Sequence, residues 1–234
     1  MHGHGSDPAR VARVTAALAD GELDPQRSLC ARSAEVVGVS GAGLVLLSPS
    51  RSLGNVCVSD PVTEIVEDLQ YTLGQGPCID AFHSRAPVLV ADLAATDGRW
   101  SEFRQGAVAA GMRAAFGFPL LIGDAVCIGA LNLFHDRVGE LTDDQYDDAV
   151  AVAHVASRTV IAWQFAAEPN ALAWQLDQVP THRAVVHQAT GMVSVQRGVV
   201  VDDALALLRA YAFAEDRPVG DVAADVVGGV LRFD

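Results

Sequence analysis

The chain has 234 residues, a formal net charge of −13 at pH 7 and a hydrophobic fraction of 50%, so it can bury one large core or two modest ones. The excess of acidic residues argues against a protein that coats nucleic acid or an anionic membrane by its overall charge. All sixteen cationic residues are arginines; residues 1–180 carry 11 arginines and 22 acids, whereas residues 181–234 carry 5 and 7. Cationic contacts to a phosphate would therefore come from guanidinium groups rather than from the ammonium groups of lysines.

The cysteines are scattered along the chain, without a C-x-x-C pair and without a histidine at metal-ligand spacing. Together with the lack of a signal-peptide pattern, this predicts reduced thiols in a cytoplasmic protein with no metal site. The apolar run from Ala149 to Ala167 contains His154 and Arg158, so it predicts a buried helix rather than a membrane span. The four cysteines are Cys30, Cys57, Cys78 and Cys127.

Turn and capping signals divide the first 166 residues into alternating helices and strands. Aspartate–proline pairs beginning at Asp7, Asp24 and Asp60 each predict a helix start. Gly123-Asp124 predicts a hairpin turn, and the capping box Thr142–Gln145 predicts the start of a long helix. Strands are predicted at about 42–47, 55–59, 87–90, 115–122 and 125–134, which indicates an α+β fold with a central antiparallel sheet flanked by helices.

Two candidate ligand features lie within this region. Gly76-Pro77-Cys78 places a helix N-terminus behind a glycine turn, an arrangement that can hold an anion or activate a thiol; simple punctuation of the fold is the alternative. Downstream, the aromatic residues Trp100, Phe103, Phe116 and Phe118 could line a pocket together with Cys78. Plain core packing explains them equally well, and the sequence leaves both interpretations open.

The C-terminal region is predicted to form three short helices. The first, at about residues 180–196, places an apolar stripe on one face, and Gly198 follows as a left-handed stop. Asp202-Asp203 opens the second helix, and Pro218 is predicted at the first helical position of the third. The stripe of the first helix consists of Val185, Ala189, Met192, Val193 and Gln196.

Motifs in both regions resemble known families. The C-terminal motifs resemble the ANTAR domain, a three-helix RNA-binding module of bacterial transcription antitermination regulators. They are the run Gln188-Ala189-x-Gly191-Met192, then Ala204, Leu208, Arg209 and Ala212, then Asp221-Val222-Ala223. The upstream motifs resemble the GAF domain, a sensor fold for small molecules or proteins. They are Gly74–Ala81, Pro87–Leu93, Gly111–Arg113, Phe118–Leu120 and Gly129–Leu131.

The two resemblances imply an N-terminal helical extension (1–24), a GAF sensor domain (25–166), a linker (167–180) and an all-α ANTAR RNA-binding domain (181–234). They imply a signal-responsive antitermination regulator that binds a hairpin in nascent RNA under control of a ligand or partner protein at the GAF domain. Two RNA loops would need two copies, so a homodimer is expected. Part of a heptad-like seam on the long helix is expected to cover the GAF sheet, and the remainder offers a surface for the dimer. The seam comprises Tyr146, Ala149, Ala153, Ala156, Val160 and Trp163.

The resemblance implies particular RNA-binding residues. Arg183, Arg197 and Arg209 are expected to contact phosphate, and Gln188 and Thr190 are expected to bind unstacked bases. Thr190 departs from the family, whose members often carry lysine there.

Other classes of function remain as alternatives. The first is a thiol-based redox sensor or enzyme of the GAF fold, built on Cys57, Cys78 and Cys127. The second is a degenerate ANTAR scaffold that docks a protein. The sequence has no nucleophile–base pair at motif spacing and no Walker-type loop, so catalysis is not predicted. No cofactor is indicated.

Overall fold

The computed structural model describes residues 7–19, 25–48, 52–95, 98–123, 126–166, 181–215 and 217–233. The chain divides into two compact units, Met1–Pro169 and Asn170–Asp234. None of the described helices combines the length and apolar character needed to span a membrane.

A five-stranded sheet lies at the centre of the first unit. The strands follow the order β2-β1-β5-β4-β3, and every neighbouring pair is antiparallel. This confirms the predicted sheet. The strands are β1 (Gly41–Leu47), β2 (Ser52–Val58), β3 (Val88–Val90), β4 (Ala114–Ile122) and β5 (Val126–His135).

Helices cover both faces of this sheet, and local capping chemistry explains where two of them begin. Asp60 Oδ1 accepts hydrogen bonds from the backbone N–H groups of Val62 and Thr63 at 2.9 and 3.0 Å. Thr142 and Gln145 form the reciprocal bonds of a capping box, at 3.0 and 3.3 Å, as predicted. The described helices of this unit are α1 (Pro8–Ala19), α2 (Pro25–Val37), α3 (Pro61–Leu73), α4 (Pro77–Ser84), α5 (Ser101–Ala109) and α6 (Asp143–Ala166).

The pleat of the sheet separates the core into two layers. Alternate residues of β4, including Phe116 and Phe118, pack with α1, α2 and α6 in the largest cluster. Ala115, which directly precedes Phe116, packs in a different cluster with Phe103 of α5. Because successive side chains of a strand point to opposite faces, helices α3 to α5 cover the second face. Each buried phenylalanine contributes about 1.5–3 kcal/mol through removal of its ring from water.

Part of the seam on α6 covers the sheet, as expected. Ala149, Ala153, Ala156 and Val160 are buried in the cluster that joins α6 to the sheet. Helix α1 also packs there through Val14, whose side chain is fully buried. The four α6 residues are therefore unavailable to a second copy of the folded chain, and a dimer surface on the rest of the seam stays a prediction.

A disulfide joins α2 to β2. Cys30 is bonded to Cys57, with 5.8 Å between their Cα atoms, and both residues are buried. The prediction that all four thiols are reduced is therefore wrong for this pair. Cys78 and Cys127 take part in no disulfide within the described residues. The sequence spacing of 27 residues contains no signal for the pairing, because the packing of α2 on β2 alone brings the two sulfurs together.

The described part of the second unit contains three helices, α7 (Thr181–Arg197), α8 (Val201–Ala214) and α9 (Val219–Val227). They confirm the predicted three-helix arrangement. Gly198 has φ +64° and ends α7 in the left-handed conformation, as predicted. Pro218, predicted at the first helical position, is instead the N-cap of α9. The core of the unit is made of small aliphatic residues, among them Ala189, Leu208 and Val222.

Candidate nucleic-acid interface and ligand cleft

The buried face of α7 is rotated by one residue from the predicted one. Val186, Ala189, Thr190 and Val193 are buried, whereas Val185 is only half-buried. Each residue advances a helix by about 100°, so this offset moves Thr190 into the core. Thr190 is 2% exposed, and its hydroxyl donates to the Val186 carbonyl at 2.7 Å. The expectation that Thr190 binds RNA bases is therefore wrong, because its hydroxyl is neither exposed nor available.

The opposite face of α7 is exposed and contains another predicted RNA contact. His187, Gln188, Gly191 and Val195 are exposed and recur at helical spacing along this face. We call these four residues the α7 face. Gln188 therefore lies where the prediction requires it, on a surface that a partner can reach.

Helix α7 differs from the chain as a whole in its charge. Its 17 residues contain no aspartate or glutamate. They include two arginines, Arg183 and Arg197, and two histidines, His182 and His187. Carboxylates occur in the first turns of the two following helices, α8 and α9. A strongly acidic protein thus presents a carboxylate-free helix at its C-terminal unit, which lowers the electrostatic cost of approach by an anion.

The three predicted phosphate-binding arginines have different surroundings. Arg197 is exposed at the end of α7, and Arg209 is half-buried on α8. Arg183 belongs to α7, but its side chain lies outside the described residues. Near Arg197, the Gln196 side chain accepts a hydrogen bond from the Phe233 backbone N–H at 3.0 Å. The C-terminal segment thus packs at the end of α7.

The five residues predicted to line a ligand pocket in the first unit do not form one site. Cys78 packs with residues of β1 and β5 in one cluster, and Phe103 and Trp100 pack in a second. Phe116 and Phe118 pack in a third, on the other face of the sheet. All except Trp100 are buried core residues. The proposed pocket is therefore wrong as a single site, because the sheet separates its members.

The helix start behind Gly76-Pro77-Cys78 is already occupied by another side chain. The Cys78 backbone N–H donates to Gln70 Oε1 at 3.0 Å, and Gln70 is buried. A backbone donor that could otherwise bind an anion thus serves as a contact between α3 and α4. Gly76 has φ +132°, a conformation that favours glycine. These contacts favour the interpretation of this motif as a structural turn between α3 and α4.

A cleft of about 210 Å³ lies elsewhere, between α5 and the segment that precedes it. The sequence analysis did not identify it. Arg104 is buried and donates to the carbonyl oxygens of Leu93 and Asp92 at 2.9 and 2.8 Å, so it fixes the wall of the cleft. Arg99 stacks over the Trp100 ring at 4.2 Å and also pairs with Asp80. The lining comprises Leu93, Ala94, Ala95, Gly98, Arg99, Ser101, Arg104, Gln105 and Val108.

The structure also brings together a serine, a histidine and an aspartate that the sequence analysis missed. The Ser40 hydroxyl lies 2.9 Å from His135 Nδ1 and donates to Asp136 at 2.9 Å. Arg137 Nε donates to His135 Nε2 at 2.9 Å, so Nε2 must accept and the ring proton of a neutral imidazole lies on Nδ1. Nδ1 then donates to Ser40 or Asp136 and cannot take the serine proton. The group therefore lacks the geometry of a nucleophilic triad.

The thiol alternative requires three cysteines to converge. Cys57 is bonded to Cys30 in the cluster on one face of the sheet, whereas Cys78 and Cys127 belong to a cluster on the other. Burial raises the pKa of the Cys127 thiol, which disfavours the reactive thiolate. The structure thus does not bring these three sulfurs together. Within the described part of the chain, no group of side chains has the composition of a metal site.

Comparisons with known proteins agree with the two-unit division. A family model described as "GAF domain" matches residues 26–160, and one described as "ANTAR domain" matches residues 174–227. No curated protein matches the chain.

Several solved structures are similar to the larger part of the chain. A domain of a putative two-component sensor histidine kinase from Sinorhizobium meliloti is 14% identical, with 62% of this chain and 94% of that one covered and a TM-score of 0.49. The GAF domain of an Acinetobacter phosphoenolpyruvate-protein phosphotransferase is 11% identical, with coverages of 69% and 96% and a TM-score of 0.49. Free methionine-R-sulfoxide reductase from Neisseria meningitidis is 19% identical, with coverages of 71% and 98% and a TM-score of 0.49.

Proposed function

The chain belongs to the GAF domain family and carries an ANTAR domain after it, and from this premise we propose that it is a transcription antitermination regulator. The ANTAR unit binds a hairpin loop in nascent RNA, and the GAF unit controls this binding in response to a signal. The proposal rests on the exposed α7 face. This face belongs to a helix without carboxylates, in a protein whose net charge is −13.

The chemistry of α7 suits a single-stranded loop better than a duplex. Proteins recognise RNA sequence mainly at unstacked bases, whose edges accept and donate hydrogen bonds. The exposed Gln188 amide supplies one donor group and one acceptor. Arg183 and Arg197 supply charge at the two ends of the helix, where guanidinium groups can pair with phosphate. Few phosphate contacts are available, so the salt dependence of the affinity is shallow and the binding site is short.

The signal acts on the first unit, for which we propose a small molecule or a partner protein. Its cleft beside α5 is a place where a small ligand can meet guanidinium, hydroxyl and amide groups together, from Arg99, Ser101 and Gln105. A ligand controls RNA binding only if its affinity differs between two arrangements of the protein. We also propose a homodimer, with an interface that does not use the buried residues of α6.

An electrophoretic shift with a pool of hairpin RNAs carrying a randomised loop tests the proposal. The full chain should shift loop-bearing hairpins at low salt, and added salt should weaken the complex. A matched duplex without a loop should bind far more weakly. In a reconstituted transcription reaction on a template that encodes a selected hairpin before a terminator, the protein should increase read-through.

Two results would count against this function. If the chain shifts no hairpin at low salt, with or without cell metabolites, the RNA proposal fails. If immobilised protein captures a protein partner through the α7 face but no RNA, the C-terminal unit is a docking scaffold instead. Comparison of RNA pull-down with protein pull-down on the same resin separates the two.

A further inference from the structure

A glycine in the middle of α7 has no structural explanation within the described chain. Gly191 is exposed, and a Cβ atom added there would meet no atom within 4 Å. Its φ is not among the positive values, so the helical conformation there is open to any L-residue. Neither close packing nor backbone geometry therefore requires glycine at this position.

Glycine at such a position has an energetic cost. It loses more conformational freedom on folding than alanine does, and an exposed glycine in a helix interior lowers helix stability. A common physical reason for accepting this cost is that another backbone comes close to the helix. Since no part of the described chain approaches Gly191, the observation points to a partner outside the described residues.

We propose that the sugar–phosphate backbone of the bound RNA loop crosses α7 at Gly191, in contact with the helix backbone. The inference rests on the function proposed above and assigns the part of the RNA that lies on the α7 face. Gln188 lies one turn before Gly191, close enough for its amide to reach a base of the crossing strand. The closer the strand lies to the helix axis, the further this short side chain reaches into the loop.

The surroundings of Gly191 favour RNA over a helix from a second copy. His187 and Gln188 precede it on the exposed face. A helix pair would place apolar residues on both sides of a small residue, whereas only Val195, 84% exposed, is apolar here. Hydrogen-bonding groups on a helix without carboxylates suit a polyanion.

The test compares two glycine-to-alanine variants of the full chain. Gly191→Ala removes the proposed close approach. Gly220→Ala is the control: Gly220 lies in α9, and a Cβ atom there would also meet nothing within 4 Å. Alanine favours the helix in both variants, so amide hydrogen exchange in the substituted helix should slow by up to about five-fold in each.

Only Gly191→Ala should bind RNA more weakly than the unsubstituted chain. For the randomised-loop hairpin pool, Gly191→Ala should weaken binding by about ten-fold or more, because the methyl group holds the strand away from the helix. Gly220→Ala should stay within about two-fold of the unsubstituted chain. A helix that becomes more stable while its binding becomes weaker is a result that a purely structural glycine does not give.

The outcomes separate this inference from the proposed function. If the unsubstituted chain binds no hairpin, the proposed function fails. If it binds hairpins and Gly191→Ala binds them equally well, the function stands and the strand crossing at Gly191 is overturned. If Gly191→Ala leaves RNA affinity unchanged but alters the mass measured by analytical ultracentrifugation, Gly191 serves a contact between copies, which also overturns the inference.

Discussion

The polar groups of α1 and α5 in the first unit and those of α7 in the second have different surroundings. In the first unit these groups bind the elements of the fold to one another: Arg10 and Arg13 of α1 both donate to Asp148 of α6 at 2.6 Å. Arg104 fixes the segment that leads into α5. In the second unit, α7 carries no carboxylate, and its Gln188 is exposed.

Net charge is therefore a poor guide to the binding partner of a two-unit protein. A charge of −13 argues against nucleic-acid binding for the chain as a whole, but binding depends on the charges within about one Debye length of the surface in question. Several acids of the first unit, Asp60 and Asp148 among them, accept hydrogen bonds from that unit's own helices. The predictions that follow test this division between a cross-linked unit and a unit with an open binding face.

The largest expected effect on stability comes from the disulfide of the first unit. Reduction of Cys30–Cys57 should lower the free energy of unfolding of that unit by about 3 kcal/mol, because the bond closes a loop with a sequence separation of 27 residues in the unfolded chain. Urea unfolding with and without a reductant, followed by tryptophan fluorescence, measures the change. In Cys78→Ala, where the disulfide is intact, the loss on reduction should be the same. An equal midpoint under both conditions would show that the bond does not cross-link the unit.

Local signals sufficed to predict most of the helices and strands. Asp60 caps the helix that it precedes, Gln145 closes its capping box, and Gly198 ends α7 in the left-handed conformation. These interactions join residues at most a few positions apart, so their geometry follows from the sequence. Long-range pairing was not predictable in this way, and Cys30–Cys57 is the clearest case.

The predictions of site residues were wrong where they depended on which face of the sheet or of a helix a side chain occupies. Phe103 and Phe116 appeared compatible with one pocket, but the choice of sheet face by α5 placed them in different clusters. Thr190 appeared exposed because the predicted apolar stripe of α7 was offset by one residue. A half-polar helix surrounded by small aliphatic residues has a weak hydrophobic pattern, and such a pattern leaves its rotation undetermined.

Charge reversal on α7 should have the largest effect on RNA binding. Arg183→Glu with Arg197→Glu should weaken hairpin affinity on the order of 100-fold and reduce the salt slope by about 1.4, because two phosphate contacts disappear. Filter binding at several salt concentrations measures both quantities. The control, Arg32→Glu with Arg158→Glu, makes the same change in net charge on the first unit and should leave the slope unchanged. If both pairs weaken binding equally, overall charge rather than α7 determines affinity.

A smaller effect is expected at the cap of α3. Burial raises the pKa of Asp60, but hydrogen bonds from Ser59 and Thr63 and from the backbone outweigh it, so the pKa lies below its usual value. The carboxylate therefore stabilises the fold above the pKa of an unfolded aspartate, and this contribution is lost as the pH falls through the folded-state pKa. Asp60→Asn should cost about 1 kcal/mol at neutral pH.

The pH dependence distinguishes this cap from a general effect of charge removal. Urea unfolding should show that the difference between Asp60→Asn and the unsubstituted chain shrinks towards about pH 3. Asp143→Asn, at an exposed position in the first turn of α6, is the control and should change stability by less than about 0.5 kcal/mol. A constant difference at all pH values would mean that the Asp60 carboxylate does not supply the stabilisation.

The smallest expected effect lies inside the second unit and separates its core from its binding face. Thr190→Val keeps the shape of the side chain and removes a hydroxyl that donates only to the carbonyl of its own helix. Because Thr190 is buried, hairpin affinity should stay within about two-fold, and stability should change by less than about 1 kcal/mol. Gln188→Ala, two residues earlier on the exposed face, should weaken hairpin binding in the same assay by several-fold. If Thr190→Val weakens binding more than Gln188→Ala does, α7 turns its other face to the RNA, and the division between a buried stripe and an open binding face would have to be redrawn.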